Sequence, residues 1–237
     1  MRAVVLAMAL WSVSAAGVAA ERDAERRKMV DEINAMAATV ARETGIERFS
    51  REVLAAMETV PRHEFVPGNE QAAAYRNRPL SVGHGQTISQ PFIVAMMTEL
   101  LRVKKSDRIL EVGTGSGYQA AILSALAREV YSIEIVPQLG EIAAATLKRL
   151  GYANVTTRIG DGYQGWAEHA PFDGIMVTAA PDHIPPALIE QLKPGGRLVI
   201  PVGDLVQDLM VVEKKPDGTT TSTSVVPVRF VPLTRGE

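Results

Sequence analysis

The chain of 237 residues has an ordinary globular composition, with 46% hydrophobic and 22% charged residues, and this excludes a disordered chain. No cysteine is present, which excludes disulfides, thiolate metal ligands and thiol nucleophiles. The formal net charge of −2 gives no indication of a nucleic-acid partner, and we expect none. The four histidines lack the spacing of a metal site, so we also expect no bound metal; they are His63, His84, His169 and His183.

The first 20 residues have the pattern of a signal peptide. Arg2 is followed by eighteen uncharged residues, and Val18-Ala19-Ala20 supplies small residues at a cleavage site. We therefore expect a mature chain from Glu21, exported to the periplasm of a bacterium and not inserted in the membrane after cleavage. The alternatives are an uncleaved anchor, since about 17 residues are the lower limit for spanning a bilayer, or an unusual N-terminal helix of a cytoplasmic protein.

Apolar residues at helical spacing predict two helices before residue 60. They are Met29, Ile33, Met36 and Val40 in the first helix, and Val53, Leu54 and Met57 in the second. The next segment, "VPRHEFVPGNEQAAAY" at 60–75, is interrupted by prolines and a glycine and is predicted to be loop or short-turn structure.

From residue 108 the sequence alternates between apolar strands and helices. Strands are predicted at 108–112, 129–135, 155–159, 172–179 and 197–202, and helices at 118–127, 139–150 and 185–193. Such alternation predicts a doubly wound, mainly parallel α/β sheet. The tail predicts two antiparallel strands around Pro216-Asp217-Gly218. We expect one domain over 21–237, with a helical extension and a polar loop in 21–90 and the sheet in 91–237.

A glycine-rich turn follows the first predicted strand of this sheet. Gly113, Gly115 and Gly117 have the spacing G-x-G-x-G, whereas a dinucleotide fingerprint needs its third glycine at the position of Tyr118. Glu111 near the end of the strand would repel a pyrophosphate and attract an ammonium or sulfonium group. The pattern therefore favours S-adenosylmethionine as the cofactor; the alternative is a tight turn without a ligand.

Two further acids follow the next predicted strands. Glu134 ends the second strand, where a carboxylate can accept both ribose hydroxyls, and Asp161-Gly162 follows the third. Asp161 could accept a hydrogen bond from the adenine amino group. The alternatives are a solvated carboxylate for Glu134 and an Asx-turn for Asp161. We expect one ligand site, because open α/β sheets bind ligands at the carboxyl ends of their strands.

The segment "SVGHGQTISQP" at 81–91 is a small polar loop that ends where Pro91 begins a predicted helix. From the residues alone, Ser89 is interpreted as the N-cap of that helix.

Several motifs together resemble the protein-L-isoaspartate (D-aspartate) O-methyltransferase family. They are "VPRHEFVP", "GHGQTISQP", "ILEVGTGSGYQAAIL", "GDGYQGW", "FDGIMVTAAP" and "VRFVPL", between about Val53 and Leu233. The resemblance implies the Rossmann-like fold of S-adenosylmethionine-dependent methyltransferases, with an N-terminal helical extension and antiparallel C-terminal strands. It also implies methylation of the α-carboxylate of L-isoaspartyl and D-aspartyl residues in damaged proteins and peptides, which initiates their repair. The family usually lacks a leader, so a cytoplasmic location stays open. We expect a monomer.

The same resemblance implies roles for particular residues. Ser89 matches the active-site position and would donate a hydrogen bond to the substrate carboxylate. The residues expected near the substrate are Gln86, Thr87, Ile88, Arg229 and Thr234. The residues expected to bind the cofactor are Glu111, Gly113, Gly115, Gly117, Glu134, Asp161 and Gly162.

Two other functions stay open on the sequence. A small-molecule O-methyltransferase would share the cofactor site, although such enzymes usually show a metal cluster or a histidine base. An inactive exported binding module would retain the fold alone. Methylation of cytosine C5 is excluded, because it needs a thiol.

Overall fold

The computed structural model describes residues 15–235. The described α-helices are α1 (Ala15–Ala37), α2 (Ala41–Thr44), α3 (Arg51–Thr59), α4 (Pro91–Leu101), α5 (Tyr118–Ser124), α6 (Pro137–Arg149) and α7 (Pro186–Gln191). The strands are β1 (Leu80–Gly83), β2 (Gln86–Ile88), β3 (Arg108–Val112), β4 (Glu129–Glu134), β5 (Val155–Ile159), β6 (Phe172–Val177), β7 (Leu192–Gly203), β8 (Gln207–Lys214) and β9 (Thr220–Val228).

The main sheet has seven strands in the order β5-β4-β3-β6-β7-β8-β9. The first five strands in this order, from β5 across to β7, run parallel to one another. The last two, β8 and β9, are antiparallel to their neighbours. The chain winds from β3 to β5 in one direction and from β6 to β7 in the other, so the winding reverses between β3 and β6. The predicted doubly wound sheet with antiparallel C-terminal strands is confirmed, and a ligand crevice is expected at this reversal.

Apolar side chains cover both faces of the sheet. Ile109 packs in a cluster with the N-terminal helices, α4 and α5, whereas Leu110 packs in a second cluster with α7. Successive residues of a strand point to opposite faces, so Glu111 lies on the same face as Ile109. The N-terminal extension is therefore part of the cover of one face.

The predicted boundary between the last helix and its strand is wrong by several residues. Helix α7 ends at Gln191, and Leu192 already pairs with Phe172. The pairing register shifts before Arg197 joins Gly174, so Pro194-Gly195-Gly196 is an irregularity within β7 and does not terminate a helix. Pairing with β6 therefore starts the strand at Leu192, before its predicted start at residue 197.

The polar segment at 81–91 is a β-hairpin, not an irregular loop. Strands β1 and β2 pair antiparallel, with Leu80 opposite Ile88 and Ser81 opposite Thr87. The turn uses left-handed backbone at Gly83, His84 and Gly85.

The prolines and glycine at 60–75 produce two short 3-10 helices, Arg62–Phe65 and Gly68–Ala73, which agrees with the prediction for that segment.

The predicted signal peptide falls largely on residues 1–14, which lie outside the described residues. Val18 in α1 is 46% exposed, and Met29 is the first buried residue of this helix from Gly17 onward. Within residues 15–235, no helix combines the length and apolar character that crossing a bilayer requires.

Candidate active site

A cleft opens at the carboxyl ends of the parallel strands, beside the reversal of winding. Its walls come from the hairpin, the glycine turn, the end of β4, the start of the 3-10 helix at 162 and the C-terminal segment. The predicted site residues that line it are Gln86, Thr87, Ile88, Ser89, Gly113, Gly115, Glu134, Gly162 and Thr234. Residues from distant parts of the sequence therefore meet in one site.

The glycine turn requires glycine for both conformation and space. Gly113 has φ of +95°, and a Cβ there would lie 2.5 Å from Thr178 Oγ1. Thr178 Oγ1 donates a hydrogen bond of 2.6 Å to the Gly113 carbonyl, which holds the turn against β6. A Cβ on Gly162 would lie 2.3 Å from Val112 Cγ1. Glycine at these two positions therefore lets the turn pack against Thr178 and the 3-10 helix pack against the end of β3.

Glu134 holds its carboxylate at the edge of the cleft. Its Oε2 accepts the Gly115 N–H at 2.6 Å, and its Oε1 accepts the Val136 N–H at 2.9 Å. The residue is only 5% exposed, yet it lines the cleft. A carboxylate has about four acceptor positions, so two remain for hydroxyl groups of a ligand. This geometry suits the predicted contact with a ribose.

Glu111 is fully buried and does not line the cleft. Ser132 Oγ donates to Glu111 Oε2, and Thr114 Oγ1 in the turn lies 2.6 Å from Ser132 Oγ. Glu111 Oε1 has no hydrogen-bond partner among residues 15–235. Burial raises the pKa of Glu111 to about 8, and the nearby charge of Glu134 acts in the same direction. The carboxyl group thus supports the glycine turn through Ser132 and Thr114. Its predicted contact with the cofactor stays a prediction.

Asp161 forms the Asx-turn that was considered as its alternative role. Its Oδ1 accepts the Tyr163 N–H at 2.9 Å and caps the 3-10 helix Gly162–Gln164. Gly162 lines the cleft, whereas Asp161 is not among the lining residues. Tyr163 in turn donates its hydroxyl to the Leu233 carbonyl at 3.3 Å, which ties the C-terminal segment to this wall. A contact between Asp161 and adenine stays a prediction.

Ser89 is not the cap of α4. The N-cap position is Gln90, without a side-chain capping bond, and Asn77 Oδ1 accepts the Phe92 N–H at 3.1 Å instead. Asn77 also receives a bond from the Gln90 side chain at its carbonyl oxygen. The Ser89 hydroxyl makes no hydrogen bond within the described part of the chain, so the capping interpretation is wrong and the hydroxyl is available to a ligand.

A second cleft adjoins the first. Thr87, Ser89, Thr178 and Val231 line both clefts, so they form the wall where the two meet. Arg229 lines only the second cleft, which places one cation on the side of this wall away from the glycine turn. The two clefts therefore adjoin at a wall that contains Ser89.

Three residues of this site were not singled out from the sequence. Thr178 follows β6 in the quoted segment "FDGIMVTAAP", Tyr118 begins α5 and lines the first cleft, and Arg62 lies in the quoted segment "VPRHEFVP". The only signal available for Arg62 was its place between Pro61 and Pro67 in a segment that resembles the family. Its partners are distant in sequence, so no local pattern could name them.

The sheet with its winding reversal, the glycine turn and the acid at the end of β4 define the class of this protein. It has the Rossmann-like fold of the S-adenosylmethionine-dependent methyltransferases. The chain belongs to the protein-L-isoaspartate(D-aspartate) O-methyltransferase family, whose model matches residues 34–237.

Individual relatives agree with this assignment. A Syntrophobacter fumaroxidans protein named protein-L-isoaspartate O-methyltransferase 2 is 56% identical, and the alignment covers 98% of this chain and 96% of the relative. A Cupriavidus necator protein named protein-L-isoaspartate O-methyltransferase 1 is 58% identical, with 88% and 82% covered.

Two solved structures show the same fold over most of the chain. One described as a protein-L-isoaspartate O-methyltransferase is 30% identical, with a TM-score of 0.76, and the match covers 87% of this chain and 65% of that chain. The other, a Plasmodium falciparum protein described as a putative protein-L-isoaspartate O-methyltransferase in complex with S-adenosyl-L-homocysteine, is 25% identical, with a TM-score of 0.73. That match covers 89% of this chain and 99% of the other.

Proposed function

We propose that the protein transfers a methyl group from S-adenosylmethionine to the α-carboxylate of L-isoaspartyl and D-aspartyl residues in damaged proteins, which initiates their repair. The observation that carries this proposal is the unbonded Ser89 hydroxyl on the wall between the two clefts. Membership of the family supports the same reaction, since relatives that match nearly the whole chain are named for it.

The first cleft fits the cofactor. Glu134 offers acceptors for two ribose hydroxyls, and Gly113 and Gly162 leave no side chain between the ligand and the backbone. The Plasmodium falciparum relative, described in complex with S-adenosyl-L-homocysteine, supports the use of this cofactor. When bound, S-adenosylmethionine supplies a methyl group on a cationic sulfur, which is a strong electrophile.

The second cleft receives the substrate in this proposal. An isoaspartyl carboxylate is ionised at neutral pH and is itself the nucleophile, so the protein does not have to supply a base. Ser89 donates its hydroxyl to one carboxylate oxygen and leaves the other free to bond the methyl carbon, while the carbon–sulfur bond breaks. The products are a methyl ester and a neutral thioether. Orientation of this kind contributes up to roughly 7–11 kcal/mol to a rate enhancement.

Selectivity for the damaged residue follows from the rigid hairpin. An isoaspartyl linkage carries the main chain through the side-chain carbonyl, so the free carboxylate is attached directly to Cα. A normal aspartyl carboxylate stands one methylene further from the main chain. Ile88 is buried and pairs with Leu80, so it anchors β2 beside Ser89, and a carboxylate displaced by that distance would lie further from the preferred position of the hydroxyl.

A methyl-transfer assay with an isoaspartyl peptide and its aspartyl twin tests the proposal. We expect a base-labile methyl ester on the isoaspartyl peptide and little on the aspartyl one. Equal rates on both peptides would indicate a general carboxyl methyltransferase. Transfer to small hydroxyl or carboxyl acceptors alone would support the small-molecule alternative, and cofactor binding without any transfer would support a binding module.

We also propose that residues 1–20 are a signal peptide and that the mature chain, exported to the periplasm, begins near Glu21. The exposure of Val18 supports this, because none of the α1 residues from Gly17 to Lys28 is buried. Removal of Arg2 changes the formal net charge from −2 to −3. Mass spectrometry of the native protein should find the shortened chain, and size exclusion should find a monomer. A full-length chain in the cytoplasm would contradict export.

A further inference from the structure

Arg62 is a completely buried arginine beside the active site. Its Nε donates to the Ala74 carbonyl at 2.8 Å, and its Nη2 donates to the Ser89 carbonyl at 2.7 Å. The guanidinium carbon lies 4.9 Å from the centre of the Tyr118 ring. Arg62 therefore contacts the segment before the hairpin, the residue at the end of the hairpin and the first residue of α5.

The surroundings of Arg62 are unusual for a buried cation. Buried charges are normally paired with an opposite charge, because the loss of hydration is otherwise not recovered. Arg62 forms no ion pair with any residue in 15–235, and its Nη1 lacks a hydrogen-bond partner there. Burial lowers the pKa of Arg62 to about 10, so the group is still charged at neutral pH. The partners of Arg62 are two backbone carbonyls and an aromatic ring, so this side chain fixes the position of main-chain segments. Its unpaired burial lowers the stability of the fold.

The backbone that Arg62 holds is the part that places the Ser89 hydroxyl. That hydroxyl makes no hydrogen bond of its own to the described residues, so its position depends on the main chain of Ser89. Tyr118, on which the guanidinium lies, directly follows Gly117 at the end of the glycine turn and lines the first cleft. Arg62 thus joins the main chain of Ser89 to the first residue after the glycine turn.

We propose that Arg62 is a positioning residue for methyl transfer: its hydrogen bond to the Ser89 carbonyl holds the Ser89 hydroxyl between the two clefts. This inference rests on the proposed function, because it assigns Arg62 a task in that reaction. The competing role is purely structural, in which Arg62 only joins the N-terminal extension to the sheet.

A double-mutant cycle separates the two roles. We expect Arg62→Met to lower the single-turnover rate at saturating S-adenosylmethionine by about 10- to 100-fold, as for loss of one charged hydrogen bond, and Arg62→Lys to lower it less. In a Ser89→Ala background, Arg62→Met should change the rate by less than about 3-fold, since residues that act through one contact are not additive. The proposal would be overturned if the two substitutions lowered the single-turnover rate by factors that multiply in the double variant. A Ser89→Ala variant with the wild-type rate would overturn it as well.

Arg108, at the end of β3 away from the glycine turn, offers a control, although it also forms an ion pair with Glu129 at 3.0 Å. It also donates to a backbone carbonyl, that of His169 at 3.0 Å, and its guanidinium carbon lies 5.8 Å from the Tyr131 ring. Arg108→Met should leave the single-turnover rate of the folded enzyme unchanged. An equal fall of the rate in Arg108→Met would show that loss of any such arginine loosens the enzyme, and it would overturn the specific role of Arg62.

Hydrogen exchange of the ligand-free protein provides a measurement that does not depend on activity. Amides of the hairpin and Ser89 should exchange at least about 10-fold faster in Arg62→Met, or in Arg62→Lys if the first variant does not fold. Amides of the β7–β8 hairpin should not change. Unchanged exchange at 80–90 would overturn the positioning role. If exchange changes as expected but the wild type methylates neither peptide, it is the proposed function that fails.

Discussion

The carboxylate of Glu134 accepts the backbone N–H of Gly115 at 2.6 Å, and this bond joins the end of β4 to the middle of the glycine turn. The second carboxylate oxygen accepts the N–H of Val136 at the start of α6. Glu134 therefore has two tasks, since it shapes the turn and also presents acceptors to the cleft. Both tasks depend on the same charged group.

Replacement of Glu134 should weaken cofactor binding with little effect on the rest of the fold. We expect Glu134→Ala to lower the affinity for S-adenosylhomocysteine by about 1.5–3 kcal/mol, because charged hydrogen bonds to the ribose are lost. Titration calorimetry measures this, and S-adenosylmethionine should compete while NAD should not bind. Glu141→Ala, at an exposed position of α6, is the control. Binding of NAD in the cleft would contradict the assignment of the cofactor.

Replacement of Ser89 should affect turnover far more than stability. Its hydroxyl forms no bond among the described residues, so Ser89→Ala should change the free energy of unfolding by less than about 0.5 kcal/mol. The single-turnover rate should fall roughly 10- to 150-fold, as expected for a charged hydrogen bond made mainly in the transition state. Ser89→Thr should give an intermediate loss.

Ser81→Ala is the control for that experiment, because Ser81 lies exposed in the same hairpin. Its rate should equal that of the wild type. An unchanged single-turnover rate in Ser89→Ala would show that the Ser89 hydroxyl does not orient the carboxylate. The backbone of the hairpin would then have that role.

The buried carboxyl group of Glu111 should make stability depend on pH. Burial raises its pKa from 4.5 to about 8, so between these values the folded chain holds a proton that the unfolded chain has released. The stability that this group contributes is complete below pH 4.5 and is lost as the pH rises towards 8. Glu111→Gln does not titrate, so the variant should gain stability relative to the wild type between pH 5 and pH 8. Urea unfolding at both values measures the difference; a constant difference would contradict the raised pKa.

Alanine substitutions at Gly113 and Gly218 distinguish the cost of a left-handed backbone from the cost of crowding against a neighbouring side chain. Gly113 and Gly218 have φ of +95° and +85°, but only a Cβ on Gly113 meets another atom, Thr178 Oγ1 at 2.5 Å. Gly218→Ala should cost about 1–2 kcal/mol from the left-handed backbone alone. Gly113→Ala should cost about 1–3 kcal/mol more, from the crowded side chain, and should also weaken cofactor binding. Equal losses of unfolding free energy in the two variants would show that the close contact relaxes freely.

Much of the fold followed from patterns that extend over a few residues. The alternation of strands and helices after residue 108, the glycine turn and the acid at the end of β4 are all local, and the structure has them within a few residues of their predicted places. The motifs that resemble the family are also short, and the family assignment agrees with them. Local patterns were sufficient here because strand periodicity and turn chemistry depend on near neighbours.

Long-range packing decided which of these residues face the ligand. Glu111 and Glu134 lie on the same face of the sheet, since Glu111 pairs with Ser132, but Glu111 lies inside β3 and is fully buried, while Glu134 is the last residue of β4 and reaches the cleft. Ser89 does not cap α4, because the side chain of Asn77, 15 residues from Phe92 in the sequence, accepts the Phe92 N–H. Arg62 reaches Ser89 across 27 residues. The sequence by itself therefore determined the elements and the chemistry available at their ends. Only the tertiary structure decided which groups are buried, paired or free, because those states depend on partners that the chain brings together when it folds.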